Sequence, residues 1–224
     1  MTQDAETAWD REYERGRYRD EPPVAFVDDI LEAVRVLGLE RGTGLYIGCG
    51  NGRNYVPLIE GGLDLIGLDI SGEAISQLRE RLPQRADRLV HGDLRTLPSG
   101  HAYDVVIGIQ VFQHGDRREA HDNLALAKGL VAPGGLFCLR VNAVETDVWP
   151  AHDVVEEAPD DSFTVRYLDG PKSGLLVHFF SRHEIEDLFV GWVAQLPLRL
   201  NRTARASPER GQWSQWEGIW RSAT

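Results

Sequence analysis

Ten residues in the first quarter of the chain, Leu45-Tyr-Ile-Gly48-Cys49-Gly50-Asn51-Gly52-Arg53-Asn54, join a short apolar run to three alternating glycines. Glycine lets a backbone come close to a ligand, and amides at the start of a following helix donate to it. Any tight strand-to-helix turn can use such glycines, so spacing has to decide. A dinucleotide-binding turn reads Gly-x-Gly-x-x-Gly. Here the third glycine comes one residue early, and Arg53 stands where it should be. Two acids follow, Asp69 at the end of Ile66-Gly-Leu-Asp69 and Asp93 in His91-Gly-Asp93-Leu94. A carboxylate at the end of a strand accepts both hydrogen bonds of a ribose diol. The other reading of Asp69 is a charge for the next helix start, but Ser71 already suits that cap.

A second set of polar groups is placed to act on a reacting molecule. Gln113 and His114 follow the apolar run Tyr103 to Ile109, and Asn142 follows Leu136 to Val141. Arg166, Tyr167 and His178 come later. His114 and His178 are candidate general bases, with Tyr167 a third catalytic candidate, although either histidine can equally be structural. Cys49 reads as a small buried residue rather than a nucleophile.

The elements that must position these groups follow from periodicity. Val24, Val27, Ile30, Leu31, Val34 and Leu37 recur at helical spacing, and Gly38 ends that helix. Apolar runs at Leu45 to Ile47, Leu63 to Leu68, Leu89-Val90, Tyr103 to Ile109 and Leu136 to Val141 read as strands buried on both faces. Helices fit between them over Asn54 to Glu60, Ser71 to Gln84 and Arg117 to Leu130. The alternation predicts a doubly wound α/β fold with a seven-stranded, mostly parallel sheet, closed by an antiparallel C-terminal pair at Trp192 to Leu200 and Gln212 to Trp220. Asn142 to Asp161 reads as a long acidic loop. Phe163 to Tyr167 and Leu175 to Phe179 flank a Gly/Pro turn and predict a hairpin. Ser181-Arg-His-Glu184 is a capping-box pattern for a helix reaching about Phe189. All 224 residues are assigned to one domain, with residues 1–23 as an N-terminal flap and 142–180 as an insert.

The Gly-x-Gly-x-Gly turn, Asp69 21 residues after Gly48 and Asp93 24 residues after Asp69, the segment Tyr103 to His114 and Pro133-Gly134-Gly135 together resemble class I methyltransferases that use S-adenosylmethionine (SAM). The likeness covers Gly44 to Val141 well and the C-terminal helix and strand pair in outline. Cys-Gly-x-Gly-Arg-Asn and the N-terminal Trp9-Asp10, Tyr13 and Gly16-Arg17-Tyr18 are similar to the tellurite-resistance and thiopurine branch, which acts on small molecules. The resemblance implies SAM as cofactor and S-adenosylhomocysteine (SAH) as product. It implies a cofactor site of Tyr13, Arg17, Tyr18, Gly48, Cys49, Gly50, Asn54, Asp69, Ile70, Asp93, Leu94 and Gln110. In it, Asp93 accepts from the adenine amino group and the N-terminal segment is a flap over the cofactor. Two alternatives remain open: a SAM- or SAH-binding module without catalysis, and an oxidoreductase using a nucleotide cofactor.

Composition narrows the partners. A formal charge of −11 repels a phosphate backbone, so a nucleic-acid substrate is not expected, and the acidic surface points to a small neutral or cationic acceptor. There are only two lysines, Lys128 and Lys172, so arginine carries nearly all positive charge. Two distant cysteines, Cys49 and Cys138, suit neither a disulfide scaffold nor a thiolate metal site, so no metal is expected and the compartment is read as the cytoplasm. No apolar run is long enough for a membrane helix. A monomer or homodimer is expected.

Overall fold

The computed structural model describes residues 3–97, 100, 102–170, 172–207 and 209–223; Pro171 of the expected Gly/Pro turn and the Met1-Thr2 start lie outside them. The main sheet contains β1 (Thr43–Ile47), β2 (Asp64–Asp69), β3 (Leu89–His91), β4 (Tyr103–Ile109), β5 (Val131–Asn142), β9 (Val193–Ala204) and β10 (Gln212–Arg221). Their order across the sheet is β3-β2-β1-β4-β5-β10-β9. The first five run parallel, and β10 pairs antiparallel with both β5 and β9, so β10 alone runs against the rest. This is the doubly wound architecture read from the alternation of runs and helices.

Side-chain parity builds two cores from one sheet. Tyr46, Ile107 and Cys138 face a cluster with Phe26 and Ile30 of α2 (Phe26–Val36), Leu58 of α3 (Tyr55–Glu60) and Ile75 of α4 (Gly72–Arg81). Leu45, Val106, Phe137 and Leu139 face the opposite cluster, with Leu124 of α5 (Arg117–Lys128) and Ile185 of α6 (Arg182–Leu188). The helix caps are local. Ser71 accepts from the Ala74 amide at 3.0 Å, and Asp116 and Glu119 form a complete capping box on α5. At α6 the expected box is only half made. Ser181 accepts from the Glu184 amide, but the Glu184 carboxylate turns into a buried cluster instead of back to the cap.

Two expectations need correction. β5 begins at Val131 rather than Leu136: Val131 already pairs with Tyr103, and an irregularity in the pairing precedes Leu136, where a Cβ on Gly135 would lie 2.8 Å from the Asp104 carbonyl oxygen. The acidic segment is not all loop. His152–Glu157 forms β6, which pairs with β7 (Phe163–Tyr167), and β7 pairs with β8 (Leu176–Phe179), making a separate three-stranded sheet. Its residues are almost all exposed, so no apolar alternation marked β6 in the sequence.

The N-terminal flap carries a helix, α1 (Gln3–Glu14), lying on α4. Asp10 is its anchor: one carboxylate oxygen accepts from the Ser71 hydroxyl at 2.6 Å and the Glu73 amide at 3.1 Å. Asp10→Ala should remove a cap from α4 as well as a tie to α1, costing about 1 kcal/mol and lowering the melting temperature by about 2–4 °C. Calorimetry and hydrogen exchange check this; unchanged exchange in α1 would mean that apolar contacts alone hold the helix.

Candidate functional site

The turn after β1 is shaped by backbone no other residue adopts easily. Gly48, Gly50 and Gly52 have φ of +72°, +55° and +98°. A Cβ on Gly48 would lie 2.8 Å from Val111, and one on Gly50 2.6 Å from the Tyr13 hydroxyl. The Gly48 and Cys49 amides donate to the Leu68 carbonyl, tying the turn to β2. At the end of β2 the Asp69 carboxylate is buried. One oxygen accepts from the Gly50 amide at 2.8 Å and the other from the Ser71 amide at 2.9 Å. Burial raises its pKa to about 6, against the opposing pull of those two amides.

Gln110, directly after β4, is one of three non-glycine residues with positive φ among the described residues, at +57°. Its amide donates to the Arg140 carbonyl at 2.7 Å, which holds the strained turn in place. A narrow compartment lies here, lined by Asp69, Ile70, Gly92, Leu94, Gln110 and His114. A larger cavity of about 530 Å³ shares Gly48, Gln110, His114, Trp9 and Tyr13 with it.

Tyr13, Arg17, Tyr18, Cys49, Gly50, Asn54 and Tyr167 line the larger cavity, as do Gln113 and Asn142. Asn54 also accepts from the Val24 amide and donates to the Tyr46 hydroxyl, bracing the wall. The Cys49 thiol is buried and its pKa pushed well up by desolvation, which suits the reading as a packing residue. His114 has a pKa lowered to about 3, first by burial and then by Lys172, so its imidazole is neutral; its Nδ1 has no described partner. Its ring meets Trp9 edge-on at 5.0 Å, and the Lys172 ammonium lies 4.2 Å from the Trp9 ring centre. The N-terminal flap and the insert therefore meet above the cavity.

Three residues are placed elsewhere. Asp93 lines neither space; its carboxylate accepts from the Arg95 amide and guanidinium and caps a short turn. His178 is fully buried on the far side of β8, because alternate residues face opposite ways and Val177 takes the cavity side. Its Nε2 lies 3.1 Å from both Glu184 oxygens and its Nδ1 3.0 Å from the Thr164 hydroxyl. Burial would raise Glu184, but His121, His178 and Arg117 hold it down at about 2, so this is a charge-compensated cluster that fixes the insert to α5 and α6. Arg166 sits on the exposed face of β7 by the same parity.

Sequence reading missed the cavity floor: Arg140, Gln215 and Glu217. One signal was present, a lone arginine inside Leu136-Phe-Cys-Leu-Arg140-Val, two residues before Asn142 and so on its face.

Comparison with known proteins agrees with this layout. Residues 45–135 match the family model described as "Methyltransferase domain". That stretch of the chain is similar to a methyltransferase domain. The matched stretch contains the glycine turn, Asp69, β4 and His114, and leaves the flap, the small sheet and the cavity floor outside it. Among solved structures, the 1,6-didemethyltoxoflavin-N1-methyltransferase of Burkholderia thailandensis superposes with a TM-score of 0.67 at 16% identity, over 99% of this chain and 88% of that one. TehB from Haemophilus influenzae gives 0.64 at 18%, over 95% and 67%. A S-adenosylmethionine-dependent methyltransferase from Clostridium acetobutylicum gives 0.64 at 13%, over 97% and 99%. At these identities the likeness shows the fold. No curated protein matches the sequence. No helix among the described residues is long and apolar enough to cross a membrane.

Asp69 makes the fold sensitive to pH. Its folded pKa, about 6, lies above the ordinary 3.8. The folded state therefore favours its proton, so its contribution to stability is fully present below about pH 4 and is lost as pH rises through about 6. Urea midpoints of wild type and Asp69→Asn across this range should diverge, with wild type losing ground as pH rises; parallel curves would remove Asp69 as the source.

Proposed function

We propose that this protein transfers a methyl group from SAM to a small molecule, with SAH as the other product. One observation carries the reading: Gly48 and Gly50, held at positive φ where a Cβ would not fit, stand beside a buried carboxylate whose oxygens each take only one amide hydrogen bond. A carboxylate oxygen has two lone-pair sites, so Asp69 retains capacity for both hydroxyls of a ribose. Leu94 and Ile70 offer apolar walls for a base, and Gly48 and Gly50 offer backbone approach for the methionyl part. Bound there, SAM supplies an electrophilic methyl on a sulfonium.

The chain's own residues position and exclude. In-line displacement needs an acceptor held opposite the sulfonium and little water around it. Gln110 and His114 line both spaces and stand where the two reactants would meet. A neutral His114 serves as a hydrogen-bond acceptor that orients an N–H or O–H nucleophile. Trp9 on α1 and Lys172 on the insert close the roof together. The second reading, a SAM-binding module without catalysis, would use the Gly48 and Gly50 side of the 530 Å³ cavity and leave the side lined by Arg140, Gln215 and Glu217 without a use. Buried free thiols at Cys49 and Cys138 suit a reducing cytoplasm.

Asp69→Ala should weaken SAH binding by about 1.5–3 kcal/mol, the loss of hydrogen bonds to a charged group. A diol favours ionised Asp69, so wild-type affinity should fall as pH drops below about 6 and level off above it. Calorimetry with SAH, SAM and NAD measures both; affinity for SAH unchanged by the substitution would take Asp69 out of the site, and tighter binding of NAD would favour an oxidoreductase. Hydrogen exchange in α1 and in residues 163–179 should slow together when SAH binds. If neither gains protection, the roof is not a lid.

A further inference from the structure

The protein as a whole is strongly acidic, but the larger cavity is not. Its lining includes four cationic side chains, Arg17, Arg53, Arg140 and Lys172, against two carboxylates, Glu21 and Glu217. Arg53 is tied to Glu21 at 2.9 Å, at the edge near α2. Arg140 is different. It is 5% exposed, two residues before the end of β5 at Asn142, and it makes one described side-chain hydrogen bond, from Nε to Glu217 at 2.8 Å. Its two terminal nitrogens have no described partner, and neither is sealed from the cavity as an orphaned buried atom.

Glu217 is itself shared. Its other oxygen accepts from Arg199, which also binds Asp29. The register places Glu217 directly across from Arg140 on β10, so a rigid ladder aims the guanidinium. Burying a cation is costly unless every donor finds a partner. A guanidinium docked through Nε, with both terminal nitrogens open, is a fork waiting for a planar anion.

We infer that the methyl acceptor is a small carboxylic acid, held in its anionic form by the terminal nitrogens of Arg140, with Lys172 adding positive potential at the roof. The inference rests on the methyltransferase reading and names the substrate class for that site. It reverses the expectation drawn from net charge: a surface field governs encounters at long range, whereas an enclosed lining governs what stays. Gln113 and Asn142, also on the cavity wall, are neutral and can take the nucleophile's N–H or O–H. The Gln113 Oε1 is buried without a described partner.

The test uses two matched pairs that differ only in charge, salicylate against salicylamide and anthranilate against anthranilamide, titrated by calorimetry into SAH-saturated protein. The acids should bind about tenfold or more tightly than their amides, the scale of a charge-assisted bidentate contact. Arg140→Met should abolish that preference while SAH affinity stays within about twofold. Arg140→Lys keeps the charge but not the fork, and should lose most of the preference; it is the variant to read if Arg140→Met does not fold. Acids binding no better than amides, or not at all, would overturn the inference, as would a preference that survives both substitutions. A large fall in SAH affinity with Arg140→Met would also overturn it, since Arg140 would then hold the cofactor's own carboxylate. Failure of wild type to bind SAH would sink the methyltransferase reading instead, and the acid–amide contrast on the unliganded protein would still judge Arg140.

Discussion

Asp69 sits where three pieces of chain converge, and its two short amide contacts decide their arrangement. The Gly50 amide comes from the turn after β1, and the Ser71 amide from the cap of α4. Both donors need that carboxylate, because a buried amide without a partner costs about as much as a lost hydrogen bond. Gly50 can reach it only at positive φ. Ser71 in turn gives its hydroxyl to Asp10, so α1 is fastened through the same knot. A ligand touching Asp69 thus touches the turn, the helix cap and the flap at once, which is how one buried acid can couple binding to closure.

The parallel half of the sheet was legible because its strands are buried on both faces and read as unbroken apolar runs. The glycine turn and Asp69 were legible for a related reason: their conformations and burial admit few residue types. Long-range contacts were less visible. Nothing local in His152–Glu157 marks a strand, since it is held by its pairing with β7 and most of its side chains are exposed. His178 was a reasonable base by residue type, but β8 begins at Leu176, and that register turns Val177 to the cavity and His178 away. Glu184 fitted a capping box until a stronger set of partners, Arg117 and two histidines, was brought beside it by the fold.

The insert is attached at two levels. β8 donates to the Gln113 carbonyl and accepts from the Gly115 amide, and Phe180 just after it donates to the Asn142 carbonyl, beside the ends of β4 and β5. Beneath it, the buried Glu184 carboxylate joins β8, α5 and α6 through His178, His121 and Arg117. Glu184 and His178 are both buried, so losing Glu184 would leave the His178 Nε2 without its partner, and the base of the insert is fixed there while its tip at Lys172 lies at the roof.

That fixed base bears on selectivity. A methyl sulfonium is reactive toward many nucleophiles, so choice among acceptors has to come from the wall opposite it. Here the wall is β5 and β10, two long strands in register over Asn142 to Leu136, and neither belongs to the stretch that matches the methyltransferase family model in full. Arg140 and Glu217 face one another on those strands, braced by Arg199 from β9. The cofactor half reuses a turn and an acid that many sequences can supply. On the acceptor side, Glu217 holds Arg140 through Nε and leaves its terminal nitrogens facing the cavity, so the anion proposed above would complete the guanidinium's hydrogen bonds, and the neutral amides beside it would set how the rest of that molecule lies.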